Sequence, residues 1–144
     1  MIDRGYLQEN LDILARVQEE AGCKILLALK GFATWSVFDQ VKQALPGAAA
    51  SALWEAKLAR EYIGGEVHLC APAYRDDEFD AFLQTVNHIV FNSLAQYEHF
   101  HPRVRRSGAA VQCGLRINPR HSEVKTAIYD PCAPGSRLGI TRDQ

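Results

Sequence analysis

Long apolar runs are missing from this sequence: no stretch approaches the roughly 20 residues that a membrane-spanning helix needs. The opening Met1-Ile2-Asp3-Arg4-Gly5 has no basic end leading into an apolar region. No secretory address is therefore expected, and a cytoplasmic location is the default. Charge of one sign is lacking too, because 16 Lys and Arg against 17 Asp and Glu leave a net charge of −1. No overall field then recruits nucleic acid or an anionic membrane. No Cys-x-x-Cys pair joins Cys23, Cys70, Cys113 and Cys132, and no cysteine or carboxylate stands at ligand spacing from His99-x-His101. The expected thiols are free and mostly buried, and the two histidines belong to a surface. Low-complexity segments, internal repeats and a Gly-x-Gly-x-x-Gly fingerprint are absent as well. The last absence argues against a dinucleotide-binding sheet.

What is present is an ordinary globular composition of 144 residues, 47% apolar and 23% charged, enough for one domain with a core. Leu7, Leu11, Leu14 and Val17 repeat at helical spacing, and Gly22 closes that helix. The short apolar run Ile25 to Leu29 suits a strand buried on both faces. A helix from about Thr34 to Leu45 follows, stopped by Pro46-Gly47. The cycle then repeats. Strands are expected at Ala48 to Ser51, Val67 to Ala71, His88 to Phe91 and Val111 to Asn118. Helices are expected over Ala52 to Tyr62, Asp76 to Val86, and from a Ser93 cap to about Phe100. After Pro119 the chain reads as irregular.

Strands alternating with helices of about ten residues indicate βαβ units and a parallel sheet. A closed (β/α)8 barrel has this rhythm but needs about 250 residues. The expectation is therefore one α/β domain over residues 1–144, a partial (β/α)8 TIM-type barrel of about five β/α units. An open half-barrel should leave strand edges unpaired and an apolar inner face uncovered, which favours aggregation and no independent activity.

In such a barrel the chemistry belongs at the carboxyl ends of the strands. Lys30 stands there on the first strand and shares a face with Leu26 and Ala28, turned toward the barrel mouth. Burial at such a site strips the ammonium of its proton, and a neutral amine can form an imine with an aldehyde. The alternative is a lysine that only ends the strand and reaches into water. On the fifth strand Gln112, Gly114, Arg116 and Asn118 alternate with Cys113, Leu115 and Ile117, so Arg116 is expected in the same mouth. There it either binds an anionic group or forms a structural ion pair.

Other features carry less. Gly135 to Gly139 imitates a phosphate cradle without a secure helix behind it. Asp76-Asp77-Glu78 reads as the solvated first turn of a helix, and Arg103, Arg105 and Arg106 as a solvated basic patch; Glu55, on the helix after strand two, reads as a surface residue in preference to one facing the site.

The stretch Ala28-Leu29-Lys30-Gly31-Phe32-Ala33-Thr34-Trp35-Ser36 resembles the cofactor-lysine segment of the carboxynorspermidine/carboxyspermidine decarboxylases. These are relatives of the alanine racemase-like (fold type III) decarboxylases. The likeness continues through Glu66-Val67-His68, Pro72 to Phe79, Val90-Phe91-Asn92-Ser93, Gly114 to Pro119 and Tyr129 to Ile140. It implies a pyridoxal 5'-phosphate enzyme of polyamine biosynthesis. Such an enzyme decarboxylates a small carboxypolyamine, with Lys30 carrying the cofactor and Arg116 beside its ring. It also implies a homodimer, and a ring-nitrogen carboxylate, a phosphate-binding glycine stretch and a β domain beyond Gln144. Another decarboxylase of the same barrel class, for ornithine, arginine or diaminopimelate, is the alternative, as is a non-catalytic barrel that binds the cofactor. The aspartate that often opens strand two in the wider family is replaced here by Ala48-Ala49-Ala50-Ser51.

Overall fold

Asp3 starts the first helix, its carboxylate accepting the Gly5 and Tyr6 N–H groups at 2.8 and 3.2 Å. Gly22 ends it in the left-handed region at φ 60°, so α1 spans Arg4–Ala21. The computed structural model describes residues 1–143. Five strands follow α1, β1 (Leu27–Ala28), β2 (Gly47–Ala50), β3 (Glu66–Cys70), β4 (His88–Phe91) and β5 (Gln112–Leu115), all parallel and hydrogen-bonded in chain order. Between them lie α2 (Phe38–Ala44), α3 (Leu53–Leu58), α4 (Phe79–Leu83) and α5 (Leu94–Ser107). This is the expected succession of β/α units, and the sheet does not close.

Alternation along the strands builds the core. Val67, Leu69, Ile89 and Phe91 are each 0% exposed and point toward the helices. Phe79 of α4 stacks on Phe100 of α5 with centroids 4.1 Å apart. Tyr74 meets Phe79, Phe82, Phe91 and Phe100 edge to face.

Several boundaries differ from expectation for local reasons. β1 is only two residues long because the chain turns just past it, with Gly31 and Phe32 N–H on Ala28 O. The π-turn Ala59–Ile63 continues α3, and the 3-10 turn Trp35–Val37 precedes α2. α4 starts at Phe79, not Asp76, because the acidic triplet folds as a turn with basic partners. Arg75 donates to both Asp77 carboxylate oxygens, at 2.9 and 2.5 Å, while His99 and Arg103 hold Asp76. α5 runs past Phe100 and through Pro102 to Ser107, keeping Val104 in the core. Arg103 lies over the Phe79 ring at 5.2 Å and pairs with Asp80, so it is part of the packing and not a solvated patch.

The inner face also departs from expectation. Ala28, Ala49, His68, His88 and Gln112 form one row of Cα partners across the sheet. Cys70, Val90 and Gly114 stand in the next row up. That face mixes the small apolar Ala28, Ala49 and Val90 with the polar His68, His88 and Gln112, so it is not uniformly apolar. Apolar surface is also uncovered on the opposite side of β5, where Leu115 is 41% exposed and Ile117, just past it, 65%. Among the described residues, the segment after β5 holds only a three-residue 3-10 turn, Ala127–Tyr129, and no helix covers these two side chains. The four cysteines are free as expected, but Cys23, Cys70 and Cys113 are exposed and Cys132 is half-buried. No helix among the described residues is long and apolar enough to cross a membrane.

Candidate active site

Lys30 leaves the sheet at once. Leu29 N–H still donates to Ala49 O at 3.0 Å, after which Gly31 and Phe32 N–H turn back to Ala28 O at 2.9 and 3.1 Å. That turn presents the lysine at the carboxyl edge of β1. Arg116 stands just past β5, its N–H on Phe91 O at 2.9 Å and its carbonyl accepting Ile140 N–H at 2.8 Å. The two residues line one cavity of about 440 Å³, together with Ser51, Cys70, Tyr129 and Arg137. Lys30 is exposed, so the desolvation argued from sequence is not met in this chain.

The wall opposite the strands is the irregular segment after Pro119. It returns so that Ile140 forms a parallel bridge with Ile117. Asn118 donates from its side chain to Leu138 O at 3.0 Å, and Asn92 to Arg137 O at 2.7 Å. Asn92 also accepts the Gly139 N–H at 2.9 Å. Gly139 has φ 82°, and a Cβ there would sit 3.0 Å from Asn118 N, so a side chain is excluded at this crossing. Thus Gly135 to Gly139 is no phosphate cradle before a helix. It is a strap over the strand ends that delivers Arg137. A neighbouring hollow of about 590 Å³, lined by Asn92, Ser93, Asn118 and Arg120, shares Arg137.

Two further groups fix the rim. Glu55 accepts both the N–H and the hydroxyl of Ser51, at 2.6 and 2.9 Å, so it orients a cavity residue instead of facing only solvent. Tyr74 donates to Val90 O at 2.6 Å and accepts Ala71 N–H at 3.2 Å, tying the end of β3 to β4. Burial pushes its phenol well above the usual tyrosine range.

The electrostatics are one-sided. Among the described residues no hydrogen bond or ion pair engages the Lys30 ammonium or the Arg116 and Arg137 guanidinium groups. Three cations that share a cavity without a counterion make a site for an anion. Strand alternation places Lys30 and Arg116 at the mouth but gives no sign of Arg137, Tyr129 or Ser51. Arg137 lies on an irregular segment with no periodicity, and only its place in the strap brings it to the cavity.

No family model matches the chain. It is 46% identical over 140 residues to the carboxyaminopropylagmatine decarboxylase of Synechocystis. It is 41% identical over 140 residues to the carboxynorspermidine/carboxyspermidine decarboxylase of Campylobacter jejuni, and 40% over 139 to that of Herminiimonas arsenicoxydans. These alignments cover 97%, 97% and 96% of this chain, but it spans only 36%, 36% and 37% of those proteins. The crystal structure of the Campylobacter jejuni carboxynorspermidine decarboxylase with norspermidine superposes with a TM-score of 0.81 at 39% identity. That match covers 95% of this chain and 34% of the other.

Proposed function

We propose that this chain, a relative of the carboxynorspermidine/carboxyspermidine decarboxylases over nearly its whole length, is the lysine-bearing part of a pyridoxal 5'-phosphate decarboxylase acting on a carboxypolyamine. The observation that carries this is the cavity in which Lys30, Arg116 and Arg137 meet without a protein counterion. Its donor set suits the cofactor, which is both an aldehyde and an anion. An amine at a strand end can take the aldehyde, and guanidinium groups can take phosphate or carboxylate oxygens in pairs. When bound, pyridoxal phosphate supplies a carbonyl that condenses with amines and a ring that accepts the electron pair left when carbon dioxide departs.

The residues of this chain would divide the remaining work. Lys30 would hold the cofactor through its side-chain nitrogen, which bonds an aldehyde carbon only as the neutral amine. Arg116, fixed by its backbone between β4 and the strap, donates hydrogen bonds to an anionic substituent and orients it. Arg137 closes the opposite side. Ser51, held by Glu55 just past the end of β2, would offer a hydroxyl to the cavity. The strap from Tyr129 to Gly139 forms one wall of the cavity.

Two substrate families follow from the relatives. Carboxynorspermidine and carboxyspermidine end in an amine, whereas carboxyaminopropylagmatine ends in a guanidinium, and the 46% identity to the Synechocystis protein favours testing the latter alongside. The active protein is further proposed to be a cytoplasmic homodimer. Full-length protein should release carbon dioxide from one of these three compounds, and borohydride should fix the cofactor on the peptide carrying Lys30. Lys30→Ala should lose both. Turnover retained by Lys30→Ala, or a cofactor fixed on another lysine, would refute the assignment.

A further inference from the structure

One pleat below the row of Lys30, the inner face carries a second group of side chains that the proposed reaction does not use. Glu66 and His68 are two residues apart on β3 and so project to the same side. His88 is the Cα partner of His68 on β4. The two imidazoles stack with centroids 3.9 Å apart and an interplanar angle of 22°. His68 Nε2 stands 3.1 Å from Glu66 Oε2. One ligand atom from each of the three residues lies within 4.8 Å of the others. All three are half-buried.

We propose that Glu66, His68 and His88 form a binding site for one borderline divalent cation of the zinc type. A carboxylate and two imidazoles suit zinc, cobalt and nickel, whereas calcium and magnesium take oxygen ligands. Ligand atoms on a tetrahedral zinc stand about 3.3 Å apart, as follows from bonds of about 2.0–2.1 Å. Turning the two stacked rings about their side-chain bonds aims one nitrogen of each at the ion and gathers the donors. Their backbones are already in register across two neighbouring hydrogen-bonded strands, so little chain entropy is lost on binding.

Lys24 is the competitor. Its ammonium bonds Glu66 Oε1, but its side chain is 63% exposed and can swing into water without burying a charge. A divalent ion would then replace a monovalent one at the same carboxylate. The bare alternative is a purely structural network in which Lys24, Glu66 and His68 satisfy one another.

Cobalt(II) titrated into chelator-stripped protein, purified as its gene encodes it, distinguishes the two. We expect one saturable equivalent per chain, with the visible absorption that low-coordinate cobalt gains over its aquo ion and that zinc abolishes. His68→Ala and His88→Ala should each remove the band while far-UV circular dichroism stays unchanged. His68→Gln, which keeps bulk and polarity, guards against misfolding and should also remove it. Lys24→Ala should bind more tightly than wild type, because a competing cation is gone. No saturable band, a band that survives both histidine variants, or one lost only in His99→Ala would overturn the proposal.

Discussion

Tyr74→Phe removes one oxygen and leaves the ring contacts with Phe79, Phe82, Phe91 and Phe100 in place. The hydroxyl's two hydrogen bonds, to Val90 O at 2.6 Å and from Ala71 N–H at 3.2 Å, are lost. Leaving these backbone groups without that partner should cost about 1–3 kcal/mol near neutral pH. The same hydroxyl sets a pH dependence. Burial raises its pKa in the folded protein, whereas in the unfolded chain it ionises near 10. Above pH about 10 the unfolded state therefore binds fewer protons than the folded one, and stability falls as pH rises. One such group contributes a slope of about −1.4 kcal/mol per pH unit. The stability present below the unfolded pKa is lost on the alkaline side. Wild type should thus exceed Tyr74→Phe in urea unfolding at pH about 7, and the gap should close within roughly one to two pH units above 10. Circular dichroism at several pH values measures both. A gap that stays constant from neutral to alkaline pH, or no gap at pH 7, would refute the account of Tyr74 as a buried neutral donor.

Two other perturbations test the scaffold. Phe79 is 0% exposed and stacked on Phe100 at 4.1 Å. Phe79→Ala should therefore cost about 3–5 kcal/mol in thermal or urea unfolding, and Phe79→Leu clearly less. At Gly47 a Cβ would stand 1.9 Å from the Glu66 carbonyl oxygen, a backbone atom that cannot turn away. Gly47→Ala should consequently destabilise by at least about 2 kcal/mol, and a melting curve unchanged from wild type would contradict the close approach of β2 and β3.

The alternation of β1 to β5 with helices was legible because both periodicities are local. His88–Phe91 was read to the residue, since its apolar run is flanked by polar residues and sits between two packed strands. Lys30 and Arg116 were legible for the same reason, as alternation along a strand assigns a side chain to a face. Boundaries were less so where a tertiary partner decided them. Arg75 and Arg103 drew Asp76 and Asp77 out of α4, and the turn of Gly31 and Phe32 back to Ala28 O left β1 two residues long. The inner face could not be judged from any one strand, because its polar residues His68, His88 and Gln112 come singly from β3, β4 and β5 in register.

By itself, then, the sequence determined a parallel α/β sheet and placed one lysine and one arginine at its carboxyl edge, because hydrophobic period and strand direction are properties of neighbouring residues. Only the tertiary structure brought Arg137 over the cavity, through side-chain bonds from Asn92 and Asn118 that span 45 and 20 residues. It alone also set His88 beside His68. Convergence of residues far apart in the chain depends on strand register and on the path of an irregular strap, and neither leaves a periodic trace.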